Sequence, residues 1–589
     1  MFRDPIPNRD RKEAPPALYG FVIYSRSLPV AAQFWVQCRA PRGLDIQYRR
    51  SDLPYDVKMQ RHRHIIGFAG LAALAALAVL SAAPSDQIHI ASGIVEGTSG
   101  TKGVRAYLGI PYAAPPVGDL RWKAPQPVPA WTGVQKADHF GARCMQNNVF
   151  GDMVFHDNGM SEDCLYLNVW TPAKSPHDKL AVMVWIYGGG FQAGATSEAR
   201  QNGEVLAAKG VVVVSMDYRL GIFGFYSHPE LTKESGHNSS GNYGLMDQLE
   251  ALRWVHQNIA AFGGDPNKVT IFGESAGSFS VSAQMASPLA KGLFARAIGE
   301  SGAFFGSTLA AMAVSKTEVD GAKFATAQKA SSIAEMRAIP ADKLLAASKS
   351  GGDYRFGPNI DGYFMPESAL AIYAAGKQSH VPLMAGWNAQ EMSFPAVMAK
   401  TTAEKFRAQV HQKFPVDEAA VLKLYSAGSD QEGMASAIDL ASDQFIVFGT
   451  WKWIEMQRKT GGKPVYEYIF SRVRPATPEN KFQGIASNLF GAVHASEIEY
   501  VFGALDSLKG YNWQHEDYKL SDLMQTYWSN FAKTGDPNGP GLPKWPRNDS
   551  QDGYAVMHLD VDAHSAPEAH RDRYEFLDSY YAKPAKPVE

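Results

Sequence analysis

Gly273-Glu274-Ser275-Ala276-Gly277 is a Gly-x-Ser-x-Gly pentapeptide, and a near copy follows at Gly299-Glu300-Ser301-Gly302-Ala303. Both words offer a serine behind Gly-Glu. A serine hydroxyl at its ordinary pKa is a poor nucleophile. It needs a base within hydrogen-bond reach, a carboxylate that orients that base, and donors for the oxyanion that forms on attack. The first word has the context for this chemistry, a strand before a sharp turn and a helix after it. "KVTIF" supplies the strand and "SFSVSAQMA" the helix. The flanking glycines leave room where side chains would collide across the turn. In the second word the glycine falls one place early, and Ala303 stands where the turn wants glycine. Ser275 is the expected nucleophile. Ser301 reads as a strand-end cap or as a hydrogen-bonding neighbour of the site.

The other parts are sought in the same way. "WIYGGGF" puts Gly188, Gly189 and Gly190 directly after a strand, where backbone N–H groups without side chains can turn toward a developing negative charge. For the base, sixteen histidines compete. His494 in "GAVHASEIEYVFG" is the best local case, in a small-residue loop before an amphipathic segment. For the acid, "AGWNAQEMSF" puts Glu391 just beyond a strand end, and the chain order is serine, acid, histidine. Spacing alone singles out neither His494 nor Glu391, because such partners come together in space rather than in sequence. Asp361 and Asp443 stand as alternative acids.

These residues must be carried by a rigid frame. "LAVMVWIYGGG", "GVVVVSMDYRLG", "KVTIFGESAG", "HVPLMAGWN" and "KPVYEYIFSRV" read as buried strands. "DQLEALRWVHQNIAAFGGDP" reads as a helix with Leu249, Leu252, Val255, Ile259 and Phe262 near one face, stopped by Gly263 and Gly264. Apolar strands alternating with helices indicate an α/β fold, with a large, mainly parallel sheet covered on both faces.

The chain of 589 residues is 45% hydrophobic and carries a net charge of −2, ample for a large core and too neutral to hold nucleic acid or an anionic membrane. From Met59 it runs "MQRHRHIIGFAGLAALAALAVLSAAPSDQ": a basic start, an apolar stretch, then small residues at Ser81 to Ala83. This is the layout of a signal peptide. Residues 1–58, with eight arginines and no periodicity, read as an upstream extension, 59–83 as the leader, and 84–589 as one domain. Secretion or export to a periplasm follows, with no stable membrane association once the leader is cleaved. Removing the leader leaves Cys144 and Cys164, an even number suited to an oxidising compartment. A bond between them would close a loop worth about 3 kcal/mol on the loop-entropy account.

The motifs "YLGIPYAAPPVGDLRWKAPQP", "SEDCLYLNVWTP", "WIYGGGFQAG", "VVVSMDYRLGIFGF", "GNYGLMDQLEALRWVHQNIAAFGGDPNKVTIFGESAG", "NIDGYFMP" and "HASEIEYVFG" together resemble the type-B carboxylesterase family, which includes the cholinesterases. The resemblance covers roughly Gly93 to Trp545 and implies an α/β-hydrolase fold. It matches Ser275 to the nucleophile, Glu391 to the acid and His494 to the base. Gly189, Gly190 and the N–H of Ala276 match the oxyanion hole. Cys144 and Cys164 match the family's first disulfide, and Arg121 and Glu162 a structural ion pair. Met392 departs from the pattern, since glycine often follows the acid. No cofactor and no metal are implied. The expected partner is a small-molecule ester, hydrolysed through an acyl-enzyme.

The loop between the cysteines, "MQNNVFGDMVFHDNGMSED", contains no tryptophan. The cholinesterases hold the choline cation on a tryptophan face in the matching loop. Phe150 and Phe155 offer weaker faces, and the methionines suggest an adaptable apolar wall. The expected substrates are uncharged esters with short to medium acyl chains. A lipase acting on emulsified acylglycerols and a non-catalytic cholinesterase-like binding protein are the competing readings.

Overall fold

The valine-rich and mixed apolar runs form strands because nothing in them needs water. All five residues of Val212–Met216 are buried, as are six of the seven in Leu180–Ile186. Strands covered on both faces are the mark of a parallel sheet under helices. The computed structural model describes residues 86–349, 354–549 and 553–583, all within the unit Ser85–Glu589. The upstream extension and the leader lie outside the described residues.

The principal sheet has eleven strands. In chain order they are β1 (Thr98–Ser99), β2 (Arg105–Pro111), β3 (Tyr166–Thr171), β4 (Leu180–Ile186), β5 (Val212–Met216), β6 (Gly264–Glu274), β7 (Arg296–Glu300), β8 (Leu383–Asn388), β9 (Val465–Phe470), β10 (Ala555–Leu559) and β11 (His564–Pro567). The spatial order is β11-β10-β9-β8-β7-β6-β4-β5-β3-β2-β1. The pairings from β5 through β4, β6, β7, β8 and β9 to β10 are parallel. The outer pairings, β5–β3, β3–β2, β2–β1 and β10–β11, are antiparallel. The fold is that of an α/β-hydrolase, as the sequence implies.

The helices used below are α1 (Tyr243–Asn258), α2 (Ala276–Ala286), α3 (Ala403–Lys413), α4 (Asp430–Ser442), α5 (Phe448–Thr460), α6 (Ile498–Phe502), α7 (His515–Thr534) and α8 (Arg571–Tyr581). The apolar face expected of α1 is buried, and Gly263 ends the following 3-10 turn at φ 81°. α2 packs on β6 and β7, α7 on β4 and β6, and α5 on β8 and β9. A second, smaller core gathers Phe406, Val410, Phe414, Val421 and Leu440 around α3 and α4. Among the described residues no helix is long and apolar enough to cross a membrane.

Candidate active site

Seven parallel strands point their carboxyl ends to one edge of the sheet, and every expected site residue but His494 follows directly from one of them. Gly188 to Gly190 leave β4, Ser275 leaves β6, Ser301 leaves β7 and Glu391 lies just past β8. The chain places β5 on one side of β4 and β6 on the other. Crevices in open α/β sheets form at such a switch point. His494 arrives from the loop ahead of α6.

Ser275 holds φ 53° and ψ −121° between β6 and α2, a conformation that costs an L-residue about 1–3 kcal/mol and persists only where its surroundings enforce it. The enforcement is close packing of backbone. A Cβ on Gly277 would lie 1.9 Å from the Ile186 carbonyl oxygen, and one on Gly273 would lie 2.6 Å from the same oxygen. Only glycine fits at either place, so the pentapeptide records how tightly β6 and α2 cross the end of β4.

The structure brings the three expected residues into one chain of hydrogen bonds. His494 Nε2 is 2.9 Å from Ser275 Oγ, and His494 Nδ1 is 2.6 Å from Glu391 Oε2. The other oxygen of Glu391 accepts from Ser301 Oγ at 2.5 Å and from the Asn388 N–H at 2.7 Å. These donors leave Oε2 free to face the imidazole. Asn388 also donates its side-chain amide to Glu497 at 2.7 Å. Met392 is no obstacle, because the turn beyond Glu391 needs no positive φ there. Asp361 and Asp443 lie elsewhere: Asp361 accepts the N–H groups of Tyr363 and Met365, and Asp443 accepts from Arg573.

The electrostatics of this edge were not legible in the motif. Glu274, Glu300, Glu391 and Glu497 are all buried. Glu274 Oε1 lies 3.2 Å from His494 Nε2, the nitrogen that also faces Ser275. Burial pushes the Glu274 carboxyl up to about 8 and that of Glu497 up to about 7. Burial, with the charges of Glu497 and Glu274, holds Glu300 well above the carboxylate range. Burial alone would lower the His494 imidazole, but Glu274 and Glu391 outweigh it and push it up to about 10. Glu274 and Glu391 thus both favour the charged imidazole, which must give up its proton before it can accept one from Ser275.

The glycine loop turns its backbone sharply beside Ser275. Gly189 and Gly190 have φ 104° and 63°. A Cβ on Gly189 would meet the Ala193 carbonyl oxygen at 2.1 Å, whereas one on Gly190 would meet nothing within 4 Å. Among the described residues, the N–H groups of Gly189, Gly190 and Ala276 have no acceptor in the protein. The loop between the cysteines braces this turn. Cys144 and Cys164 are joined by a disulfide. Gln146, inside that loop, makes two hydrogen bonds to the backbone of Gly194, at 2.8 and 2.9 Å. Arg121 and Glu162 form a two-pronged pair, both contacts at 2.6 Å, and Arg121 also donates to two carbonyls at Arg337 and Ile339. That is a structural role.

Sequence reasoning missed Glu274, Asn388 and Glu497. The signal for Glu274 was the repeated Gly-Glu-Ser. β6 and β7 pair in register, Glu274 beside Glu300, so the two words lie side by side. One carries Ser275, and the other carries the serine that holds Glu391.

Residues 84–577 match the Carboxylesterase family. The chain is 36% identical over 471 residues to fumonisin B1 esterase of Sphingopyxis macrogoltabida, covering 78% of this chain and 84% of that protein. It is 36% identical over 504 residues to carboxylesterase 1D of Rattus norvegicus, covering 77% and 85%. It is 33% identical over 524 residues to cocaine esterase of Homo sapiens, covering 83% and 90%. With that similarity along most of its length and a serine, an imidazole and a carboxylate in line at the edge of its sheet, the chain belongs to the carboxylesterase family and is a serine carboxylic ester hydrolase.

Proposed function

We propose that Ser275 is the nucleophile, His494 the base and then the acid, and Glu391 the carboxylate that orients the imidazole. Ser275 Oγ attacks the ester carbonyl as its proton passes to His494 Nε2. The N–H groups of Gly189, Gly190 and Ala276 hold the oxyanion. His494 returns the proton to the leaving alcohol, which leaves an acyl-enzyme. Water, deprotonated by His494, then attacks that acyl carbon and releases the acid and Ser275. The observation that carries this reading is the continuous line from Ser275 Oγ through His494 to Glu391, at 2.9 and 2.6 Å.

The substrates are uncharged esters with short to medium acyl chains. Arg143 already covers the face of Phe155, its guanidinium carbon 5.0 Å from the ring centroid, so that ring is not free for a substrate cation. The methyl of Met153 lies 3.3 Å from where a Gly189 Cβ would sit, and it supplies an apolar wall beside the oxyanion site. Relatives named for fumonisin B1 and for cocaine support an ester substrate without fixing its acid or alcohol. Export to the periplasm or the exterior is supported by the leader and by the disulfide, which persists in oxidising compartments.

The test is a pair of variants assayed on nitrophenyl butyrate. Ser275→Ala should abolish hydrolysis at unchanged melting temperature. Ser301→Ala, which removes one hydrogen bond to Glu391, should lose no more than about tenfold. A folded Ser301→Ala as inactive as Ser275→Ala would overturn the assignment.

A further inference from the structure

The motif "VVVSMDYRLGIFGF" supplies β5 and then two residues that no step above uses. Asp217 and Tyr218 leave the carboxyl end of β5, beside the glycine loop that leaves β4. Both are buried, 2% and 0% exposed. Asp217 is fixed through its own backbone. Its N–H donates to the Tyr166 carbonyl at 2.9 Å, and its carbonyl accepts from the Tyr112 hydroxyl at 2.6 Å. The ends of β2, β3 and β5 thus hold it in place. Among the described residues no lysine, arginine or histidine pairs with its side chain, and burial, with the like charge of Asp157, pushes the carboxyl up to about 7 against the pull of its hydrogen bonds to Thr196. A buried carboxyl without a counter-charge is costly to keep, and a charged acceptor holds its donors more tightly than a neutral one.

The two residues grip the two ends of the glycine loop. The Tyr218 hydroxyl donates to the Tyr187 carbonyl at 2.8 Å, one residue before Gly188, and the two rings stack with centroids 4.5 Å apart. The Asp217 carboxyl accepts the Thr196 N–H at 3.0 Å on one oxygen and the Thr196 hydroxyl at 2.8 Å on the other. Between these grips the loop closes on itself. The N–H groups of Gln192 and Ala193 both donate to the Gly189 carbonyl, at 2.9 and 3.1 Å. A Cβ on Gly194 would lie 2.7 Å from the Gly188 carbonyl oxygen. A loop braced in this way cannot absorb a shift at one end by flexing, so Gly189 and Gly190 move with it.

We infer that Asp217 and Tyr218 are positioning residues for ester hydrolysis, clamping the two ends of the glycine loop so that the N–H groups of Gly189 and Gly190 meet the oxyanion. The inference rests on Ser275 being the nucleophile and on those N–H groups being the oxyanion donors. Asp217 and Tyr218 act through the loop and not on the ester. Formation and breakdown of the acyl-enzyme both pass through an oxyanion at that place, so a loosened clamp slows both steps. kcat then falls, while KM, set by ground-state binding and by the ratio of the two steps, stays. Misplacing a donor forfeits part of the roughly 10²–10³-fold that one such donor supplies.

The experiment measures kcat and KM for nitrophenyl acetate in the full-length protein, together with inhibition by an aryl trifluoromethyl ketone. Active sites are counted by the nitrophenol released when diethyl nitrophenyl phosphate phosphorylates Ser275. With the ketone, Ser275 Oγ bonds to the carbonyl carbon, the serine proton passes to His494, and the former carbonyl oxygen becomes the oxyanion. Asp217→Ala should lower kcat per site about thirtyfold or more and weaken the ketone by a similar factor, with KM within about threefold of the wild type. Asp217→Asn should stay within about fivefold, because its amide oxygen still accepts the Thr196 N–H and its NH2 group donates to the hydroxyl. Tyr218→Phe keeps the ring stack and removes one hydroxyl, so it tests the other end even where Asp217→Ala does not fold. It should lose about three- to tenfold in both kcat and ketone affinity. A scaffold role alone would reduce the number of competent sites and leave kcat per site and the ketone unchanged. That result in folded Asp217→Ala or Tyr218→Phe would overturn the proposal. So would Asp217→Asn as impaired as Asp217→Ala, which would assign the effect to charge rather than to the hold on Thr196. Failure of the catalytic reading would look different, as hydrolysis and ketone inhibition that survive Ser275→Ala.

Discussion

Glu274 shares one nitrogen of the His494 imidazole with Ser275, and that contact should set the acid limit of activity. His494 must be neutral to accept the proton of Ser275, and Glu274 favours its charged form. The acid limb of kcat/KM reports the pKa of the base in the free enzyme. Glu274→Gln removes the charge, so the imidazole pKa should fall and the limb should move to lower pH by about one unit. A limb that stays in place or moves upward would show that Glu274 does not govern His494. Glu391→Gln tests the other side of the ring. It keeps the shape and loses the charge that stabilises imidazolium, so turnover should drop roughly 10³–10⁴-fold. A loss under tenfold would require another acid, and neither Asp361 nor Asp443 touches His494. Ser275 was legible because its motif is local: the turn needs two glycines within five residues. Glu391 and His494 were legible only through resemblance, since 103 residues separate them. Glu274 was passed over as a filler of the motif, because its effect depends on burial that no spacing reports.

At the scale of elements, the crossing of β4, β6 and α2 is a backbone packing problem that glycine solves. Gly277→Ala would drive a methyl into the Ile186 carbonyl at the end of β4. Overpacking of this kind costs about 1–3 kcal/mol, and the strand end it displaces leads into Gly188 to Gly190. The variant should lose stability and activity together. Gly190→Ala is the control: its Cβ meets open space, leaving only the strain of φ 63°, about 1–2 kcal/mol. Urea midpoints of the two variants and the wild type decide this. Gly277→Ala at wild-type stability would mean that the crossing yields more easily than its contacts indicate. The strands and α1 were readable because apolar runs and period-3.6 stripes are strong signals. The antiparallel outer strands were not, since β1 and β11 are exposed in part and short. The π-helical turn Asp443–Val447, between α4 and α5, left no trace either, because one inserted residue in an apolar helix hardly alters the pattern.

Over the whole molecule the charge is nearly balanced, −2 with a pI near 6.8. A cationic ester is therefore neither drawn in from a distance nor met by a tryptophan in the disulfide-bounded loop. Cation–π binding is best on tryptophan and weaker on phenylalanine. Phe155 carries Arg143 on its face, and Phe150 is 40% exposed to solvent, where such a contact contributes about 0.5–1 kcal/mol. That amounts to a few-fold in affinity, too little to offset the loss of apolar contact when a trimethylammonium group replaces an aryl leaving group. Catalytic efficiency on nitrophenyl acetate and butyrate should therefore exceed that on acetylcholine and butyrylcholine. It should also change little between low and high salt, because no long-range field is there to screen. A choline ester equal to or better than nitrophenyl butyrate would show that a cation site exists in a place the loop does not reveal. Palmitate as the best acyl chain, above its solubility limit, would instead point to an interfacial enzyme, in which the apolar surface around the site meets lipid rather than dissolved ester.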